Sequence, residues 1–318
     1  MSTAEKAESL THPFHIHQEF FENFNSIHTR KSYEIDIKHF LTWLFTELSV
    51  SSYNDLERAH IIKYRNWLQE AGGRNGNPCA PKTVARKLAS LSSYSDYLVE
   101  KSLLEFNPVT SVKRPRRDVI SPTNALTGKQ VTELLQTIPS DTSSGILHRS
   151  LLMMFFTTGL RKSEILNLKY KDYREINDFR VMEFIGKGGK IGQKVLHPQN
   201  IETLTLYLEH MKTLGREHER EDWLFQPSHN PTNPKELNKP LNPKTINEII
   251  DYYGKKIGLN FKISPHSARA TFIGELLELG VDIYSVAREV NHSSVKTTQE
   301  YDKRRKKLSD SPVFKLKF

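Results

Sequence analysis

The stretch Ser264-Pro265-His266-Ser267-Ala268-Arg269 carries the clearest local chemistry in the sequence. Ser264 is a good N-cap and Pro265 suits the first helical position, so a helix is predicted from here through Leu277. His266 and Arg269 then share one face of its first turn. A helix N-terminus, a guanidinium fork and an imidazole together make a phosphate site; the plainer reading is a helix start with an exposed His and Arg. Farther on, Asp282 is placed to cap Ile283–Val290, and Asn291 suits the left-handed position that ends a helix. His292-Ser293-Ser294 leads into a short helix ending in Tyr301. Upstream, Gly159 reads as a helix stop, Arg161 sits in the turn, and Ser163 is the expected cap of a helix whose first turn holds Glu164. Each junction alone is routine.

The elements that must position these residues are mostly helical. Arg180–Ile185 and Lys194–Leu196 flank GKGGKIGQ as a β-hairpin, and its Gly-rich turn carries Lys187 and Lys190. Helical patterns cover Val131–Leu135, His148–Phe156, Ile201–Leu214 and Pro243–Ile257. Between Phe20 and Glu105 apolar residues recur at helical spacing in three runs, through Ile37, Phe40 and Leu44, through Ile61, Tyr64 and Leu68, and through Val84, Leu88, Leu91 and Leu98. The Gly/Asn/Pro loop Ala71–Pro81 precedes a helix whose first turns carry Lys82, Arg86 and Lys87. The expected fold is mainly α with a small β-hairpin or sheet in the C-terminal domain, an α+β class. The expected organisation is a flexible leader over 1–18, a helical domain over 19–106, a basic linker over 107–126 and a second domain over 127–318 with a tail from about 308. The linker packs Lys113, Arg114, Arg116 and Arg117 together, either as a solvated tether or as a track for a polyanion.

Composition narrows the function class. The 318 residues hold 46 Lys+Arg against 37 Asp+Glu, a formal charge of +9 that excludes acidic-tail roles and favours a polyanionic partner. With 37% hydrophobic and 26% charged residues the chain is expected to fold. The longest apolar run, Leu151–Phe156, is far below the ~20 residues of a membrane span, and the N-terminus has no apolar signal core. A single cysteine, Cys79, precludes an internal disulfide and fits a reducing cytosol. A metal site at His12, His15 and His17 is disfavoured because no thiol stands beside them and scattered histidines are common in such leaders.

In order and spacing the motifs match one family. The chain resembles the tyrosine recombinases, the site-specific DNA recombinases and integrases, which carry G-L-R-x-S-E, a hairpin lysine, H-x-x-R, a G-H-S-s-x-x-T-T segment and a tyrosine shortly after. Here these positions are Arg161, Lys187, His266 with Arg269, His292 and Tyr301, with HSSVKTTQEY intact. Asn291 replaces the usual glycine, and Lys190 competes with Lys187 as the family's lysine. The resemblance runs by motif over Leu126–Tyr301 and only by architecture over Phe20–Glu105. It implies a two-domain, C-shaped clamp around DNA, with Lys82, Arg86, Lys87 and the linker cations on the backbone. It further implies Tyr301 as nucleophile, Arg161 and Arg269 on the phosphate, Lys187 as general acid, His266 and His292 assisting, and Glu164 supporting Arg161. No metal or other cofactor is called for by the resemblance.

The partners it implies are double-stranded DNA with inverted-repeat sites, a homotetramer on two duplexes and, in some members, an activating accessory protein. No membrane partner is expected, and the setting is cytoplasmic and DNA-associated. The tail, with Phe314, Leu316 and Phe318, is expected to fill a pocket of a neighbouring protomer rather than fray. The short leader leaves no room for a separate arm-binding domain, which favours an Xer-type dimer resolvase or a small mobile-element integrase. Two rivals stand beside this reading: a type IB-like topoisomerase, and a non-catalytic sequence-specific DNA-binding protein on the same scaffold. An intact Tyr301 with both arginines weighs against the second, since a pure binder needs no nucleophile.

Overall fold

A computed structural model describes residues 14–115, 123–230, 232–233, 235–302 and 311–317. The chain divides into two compact units, 1–120 and 121–318. The first is all helical: α1 (Gln18–Glu22), α2 (Ile27–Leu48), α3 (Arg58–Glu70) and α4 (Pro81–Glu100). Ser26 caps α2 by accepting from the Thr29 N–H, and α4 opens with Pro81 at its first position. The three helical runs read from spacing supply the core: Ile37, Phe40 and Leu44, then Ile61, Tyr64 and Leu68, then Val84, Leu88, Leu91 and Leu98.

The ends of this unit differ from the expectation. The leader predicted over 1–18 is docked from Phe14 onward: Phe14 lies in the core, and the Tyr53 hydroxyl donates to the His15 carbonyl at 2.9 Å. Phe14, Phe20 and Phe21 together bury too much aromatic surface to stay in solvent. Residues 1–13, with His12, lie outside the described residues. The linker predicted over 107–126 likewise begins later. Val109 and Val112 enter the same core, and the Asn107 amide donates to the Ser92 carbonyl at 3.0 Å and to Asp96 at 2.6 Å. Lys113 and Arg114 are exposed, whereas Arg116 and Arg117 fall outside the described residues.

A buried charge organises α2 against α4. Asp36 is 1% exposed and accepts from Arg86 Nη2 at 2.9 Å and from Ser90 Oγ at 3.2 Å, while Lys87 Nζ stands 3.3 Å away. Arg86 Nη1 also donates to this carboxylate. The expectation that Lys82, Arg86 and Lys87 all face DNA is therefore corrected. Lys82 is exposed and Arg86 is partly so, but Lys87 is buried and committed to Asp36.

In the second unit α5 (Gly128–Gln136) and α6 (Ser143–Thr158) are followed by the short α7 (Lys162–Leu166). An antiparallel sheet of β1 (Tyr173–Ile176), β2 (Phe179–Ile185) and β3 (Ile191–Val195) comes next. Then come α8 (Pro198–Thr213), α9 (Pro243–Lys256), α10 (Pro265–Glu278), α11 (Ile283–Glu289) and α12 (Val295–Gln299). Helix α6 is apolar on every side at Leu151, Leu152, Met154 and Phe155, and packs between α8 and α10. The expected hairpin is present, but β3 starts earlier than predicted and β1 adds a third strand. Pairing of Ile185 with Ile191 closes the hairpin at its turn.

The entry to this unit is anchored on α10, where Leu126 N–H donates to Thr271 Oγ1 at 2.8 Å and Gly128 N–H to Glu275 at 2.9 Å. Leu126 is buried in the main core, so the linker ends before it. A satellite cluster of Ile273, Leu277, Val286 and Val290 joins α10 to α11, with Tyr301 packed against it. In the tail Pro312–Lys315 forms one turn, Phe314 and Leu316 are exposed, and Phe318 lies outside the described residues. Among the described residues no helix is long and apolar enough to cross a membrane.

Asp36→Asn is expected to leave Lys87 as an uncompensated buried cation and to cost about 3 kcal/mol. Urea unfolding followed by circular dichroism measures this as a lowered midpoint, and an unchanged midpoint would show that the network contributes nothing.

Candidate active site

Arg269 is 3% exposed, and its guanidinium spans two helix ends. Nη1 donates to the Gly159 carbonyl at 2.6 Å, at the end of α6, and Nη2 donates to the Val290 carbonyl, at the end of α11. Both acceptors lie at the negative end of a helix dipole. A guanidinium has five N–H donors, so these bonds leave others for a ligand. Gly159 is left-handed at φ +61°, and a Cβ there would come within 2.5 Å of Phe272 Cδ1. The predicted helix stop therefore also gives Arg269 its acceptor. Burial, then the Arg161 charge, lowers the Arg269 pKa to about 10, so it is still a cation at neutral pH.

Arg161 is held by a different device. It is the N-cap residue of α7: its backbone N–H donates to Glu164 Oε2 at 2.7 Å and its Nη1 to Glu164 Oε1 at 2.8 Å. The expectation that Ser163 caps this helix is corrected, because the Glu164 carboxylate reaches back to the orphan N–H instead. Glu164 is 4% exposed, so its carboxylate is committed to Arg161 and is no solvated first-turn acid.

The predicted caps of α10 and α11 are present, Ser264 accepting from Ser267 N–H and Asp282 from Ser285 N–H. Asn291 takes the left-handed conformation, φ 51°, that a glycine would otherwise fill, and it turns the chain into His292. His292 Nδ1 lies 2.9 Å from the fully buried Thr298 Oγ1. Burial, reinforced by the Arg269, Arg161 and His266 charges, pushes the His292 pKa down to about 4. The Tyr301 hydroxyl is 3.2 Å from His266 Nε2, and its ring stacks on His292 with centroids 6.1 Å apart. Burial raises the Tyr301 pKa, with Arg269 opposing that rise.

Five of the six predicted residues, Arg161, His266, Arg269, His292 and Tyr301, line one open cleft of about 840 Å³. The sixth, Lys187, stands in the turn Lys187–Gly189 at the cleft's hairpin wall, and Lys190 lines the same cleft. Two guanidiniums beside a half-buried phenol fit a phosphodiester: the cations take its oxygens and the phenol oxygen attacks its phosphorus. His15 and His17 meet edge to face, 4.7 Å apart, in the first unit. Sequence reasoning missed Thr298 and the carbonyl acceptors of Arg269. It also missed Lys194, buried on β3, where the apolar Ile191 and Val195 turn outward. Only Thr298 had a signal, its place in the TTQEY run.

Residues 124–307 match the phage integrase family model, and residues 20–102 match that of the phage integrase N-terminal SAM-like domain. The chain belongs to the phage integrase family. Among its relatives, the tyrosine recombinase XerC of Myxococcus xanthus is 30% identical over 92% of this chain and 92% of that protein. The tyrosine recombinase XerD of Listeria innocua is 28% identical over 90% of this chain and 91% of that protein. In fold the chain is similar to XerH site-specific recombinase bound to palindromic difH substrate in a post-cleavage complex, with TM-score 0.70, 16% identity and coverage of 92% of this chain and 81% of that one. It is also similar to a lambda integrase dimer bound to a COC′ core site, with TM-score 0.65, 16% identity and coverage of 89% and 91%. The mainly helical integrase fold with a small antiparallel sheet is thus the one expected from the sequence.

His292 is expected to stay neutral down to about pH 5. Between its ordinary 6.5 and about 4, the unfolded chain binds a proton that the folded chain does not, so the folded state loses stability as pH falls through that window. Histidine-labelled NMR measures this directly; a His292 midpoint near 6.5 would contradict it.

Proposed function

We propose that this chain is a site-specific recombinase that cleaves and rejoins double-stranded DNA through a 3′-phosphotyrosine at Tyr301 and exchanges strands by way of a Holliday junction. The observation that carries this reading is the Tyr301 hydroxyl, 3.2 Å from His266 Nε2 in the cleft that Arg161 and Arg269 line. The Tyr301 oxygen attacks the scissile phosphorus, its proton passes to His266, and the bond from phosphorus to the 5′-oxygen breaks. Arg161 and Arg269 take the non-bridging oxygens through the donors their structural partners leave over. With the Thr298 hydroxyl donating to Nδ1, the proton of neutral His292 sits on Nε2, from which it donates to a phosphate oxygen. Lys187, at the hairpin turn, protonates the departing 5′-oxygen. Attack by a 5′-hydroxyl from another duplex reverses these steps and returns the phosphodiester. The covalent link stores the bond energy, so no nucleotide is spent.

In this reading both units contact the duplex. Lys82, Arg86, Lys113, Arg114, Arg116 and Arg117 contact phosphates, which makes affinity fall steeply with salt. The substrate is a pair of inverted-repeat sites, a homotetramer holds two duplexes, and the tail residues Phe314, Leu316 and Phe318 dock on a neighbouring copy. An accessory activator fits the same scheme. The role is either dimer resolution or mobile-element integration and excision, in a cytoplasmic, DNA-associated setting.

The test is to express the chain and its Tyr301→Phe variant, isolate covalent protein–DNA adducts under denaturing conditions and sequence the attached DNA. Adducts are expected at one inverted-repeat site and absent from the variant. Scattered adducts would replace this reading with a relaxing topoisomerase, and salt-sensitive binding without adducts would replace it with a non-catalytic binder. Arg161→Lys is expected to slow cleavage by about 10²-fold or more, because a point charge cannot reproduce the planar fork; a rate within a few-fold of the parent's would remove Arg161 from the mechanism.

A further inference from the structure

Lys194 is a buried cation that the proposed chemistry does not use. It lies on β3, paired in register with Met182 of β2, and its side chain is 3% exposed. Its Nζ donates to Glu289 Oε1 at 2.7 Å. Glu289 is the last residue of α11, where the helix dipole disfavours a carboxylate, so its place there calls for a compensating cation. The next residue is Val290, whose carbonyl receives Arg269, and then come Asn291 and His292.

The hairpin tip has little to hold it. Gly188 and Gly189 are both left-handed with open space around them, and Ile185 and Ile191 at the closing pair are 67% and 76% exposed. Within the turn the Gly186 N–H donates to the Lys190 carbonyl at 2.7 Å and the Gly189 N–H to the Gly186 carbonyl at 3.1 Å. These bonds shape the turn without tying it to the body. The position of the turn is therefore set by what holds the strands that carry it.

We propose that Lys194 and Glu289 form a tether that fixes the lysine-bearing hairpin to the end of α11, one residue from the carbonyl that Arg269 grips, so that the general acid and the phosphate-binding groups keep one geometry. Lys194 is a positioning residue: it acts through the hairpin and touches no reacting atom. Desolvation lowers its pKa while the Glu289 carboxylate raises it, and the Arg269 and Glu164 charges also reach it, which places its ammonium beneath the site's own electrostatic network. This inference rests on the reading that a hairpin lysine protonates the 5′-oxygen.

The test uses the full chain with Lys194→Met, which keeps the length without the charge, and with Glu289→Gln, which keeps the shape. The probe is a nicked duplex carrying the site recovered from covalent adducts, made with the ordinary scissile phosphodiester or with sulfur in place of the bridging 5′-oxygen. Sulfur leaves as a thiolate and needs no proton, so it bypasses the general acid alone. Lys194→Met is expected to bind the oxygen duplex as the parent does and to cleave it on the order of 10²-fold more slowly. It should regain a near-parental rate on the sulfur duplex, with Glu289→Gln shifted in the same direction by less. A parental rate on the oxygen duplex overturns the tether, and so does an equal loss on both duplexes, which is what general damage to the fold would produce. Lys187→Ala separates the two claims. If sulfur rescues Lys194→Met but not Lys187→Ala, the tether stands and the general acid is another hairpin residue.

Discussion

The second unit is organised around one buried guanidinium. Arg269 draws the carbonyl ends of α6 and α11 onto a single cation, and those ends carry the turns that lead to Arg161 and to His292. Helix C-termini present orphan carbonyls that need donors, and burial makes an unmet carbonyl expensive. One planar fork answers both ends and still keeps donors for an anion. Gly159 has no Cβ because Phe272 closes over the same point. The cation that lines the cleft and the structural cross-link are thus the same side chain.

Around that fork the remaining groups divide their roles by environment. Glu164 spends its carboxylate on Arg161, which aims one guanidinium and offsets part of the local positive charge. His292, partly desolvated and pressed by two arginines, is kept neutral. His266 meets the Tyr301 hydroxyl directly. Two imidazoles in one cleft thereby stand in different surroundings, and the difference comes from their neighbours rather than from residue type.

Basic residues in this chain do not share one purpose. Lys87 and Lys194 are buried and tied to Asp36 and Glu289, Arg269 supports backbone while facing the cleft, and Lys82, Lys113 and Arg114 stand in solvent. A formal charge of +9 favours a polyanionic partner, yet only the cations left in solvent or facing the cleft are available to meet it.

The sequence by itself determined the local grammar of this protein. The caps at Ser264 and Asp282, the left-handed Gly159 and Asn291 and the apolar stripes of the long helices were legible, since each depends on residues a few positions apart, whereas Arg161, Lys187, His266, Arg269, His292 and Tyr301 stood out by resemblance to a family. Tertiary structure alone decided which residues answer one another across the chain. It paired Asp36 with Lys87, Lys194 with Glu289 and Arg269 with two distant carbonyls, and it docked Phe14 and Val109 into a core. Strand β3 makes the reason plain: its isoleucine and valine face out and its lysine faces in, because burial follows the partner available on each side. Spacing along a chain encodes turns and periods, whereas the partner of a buried charge depends on how distant elements pack.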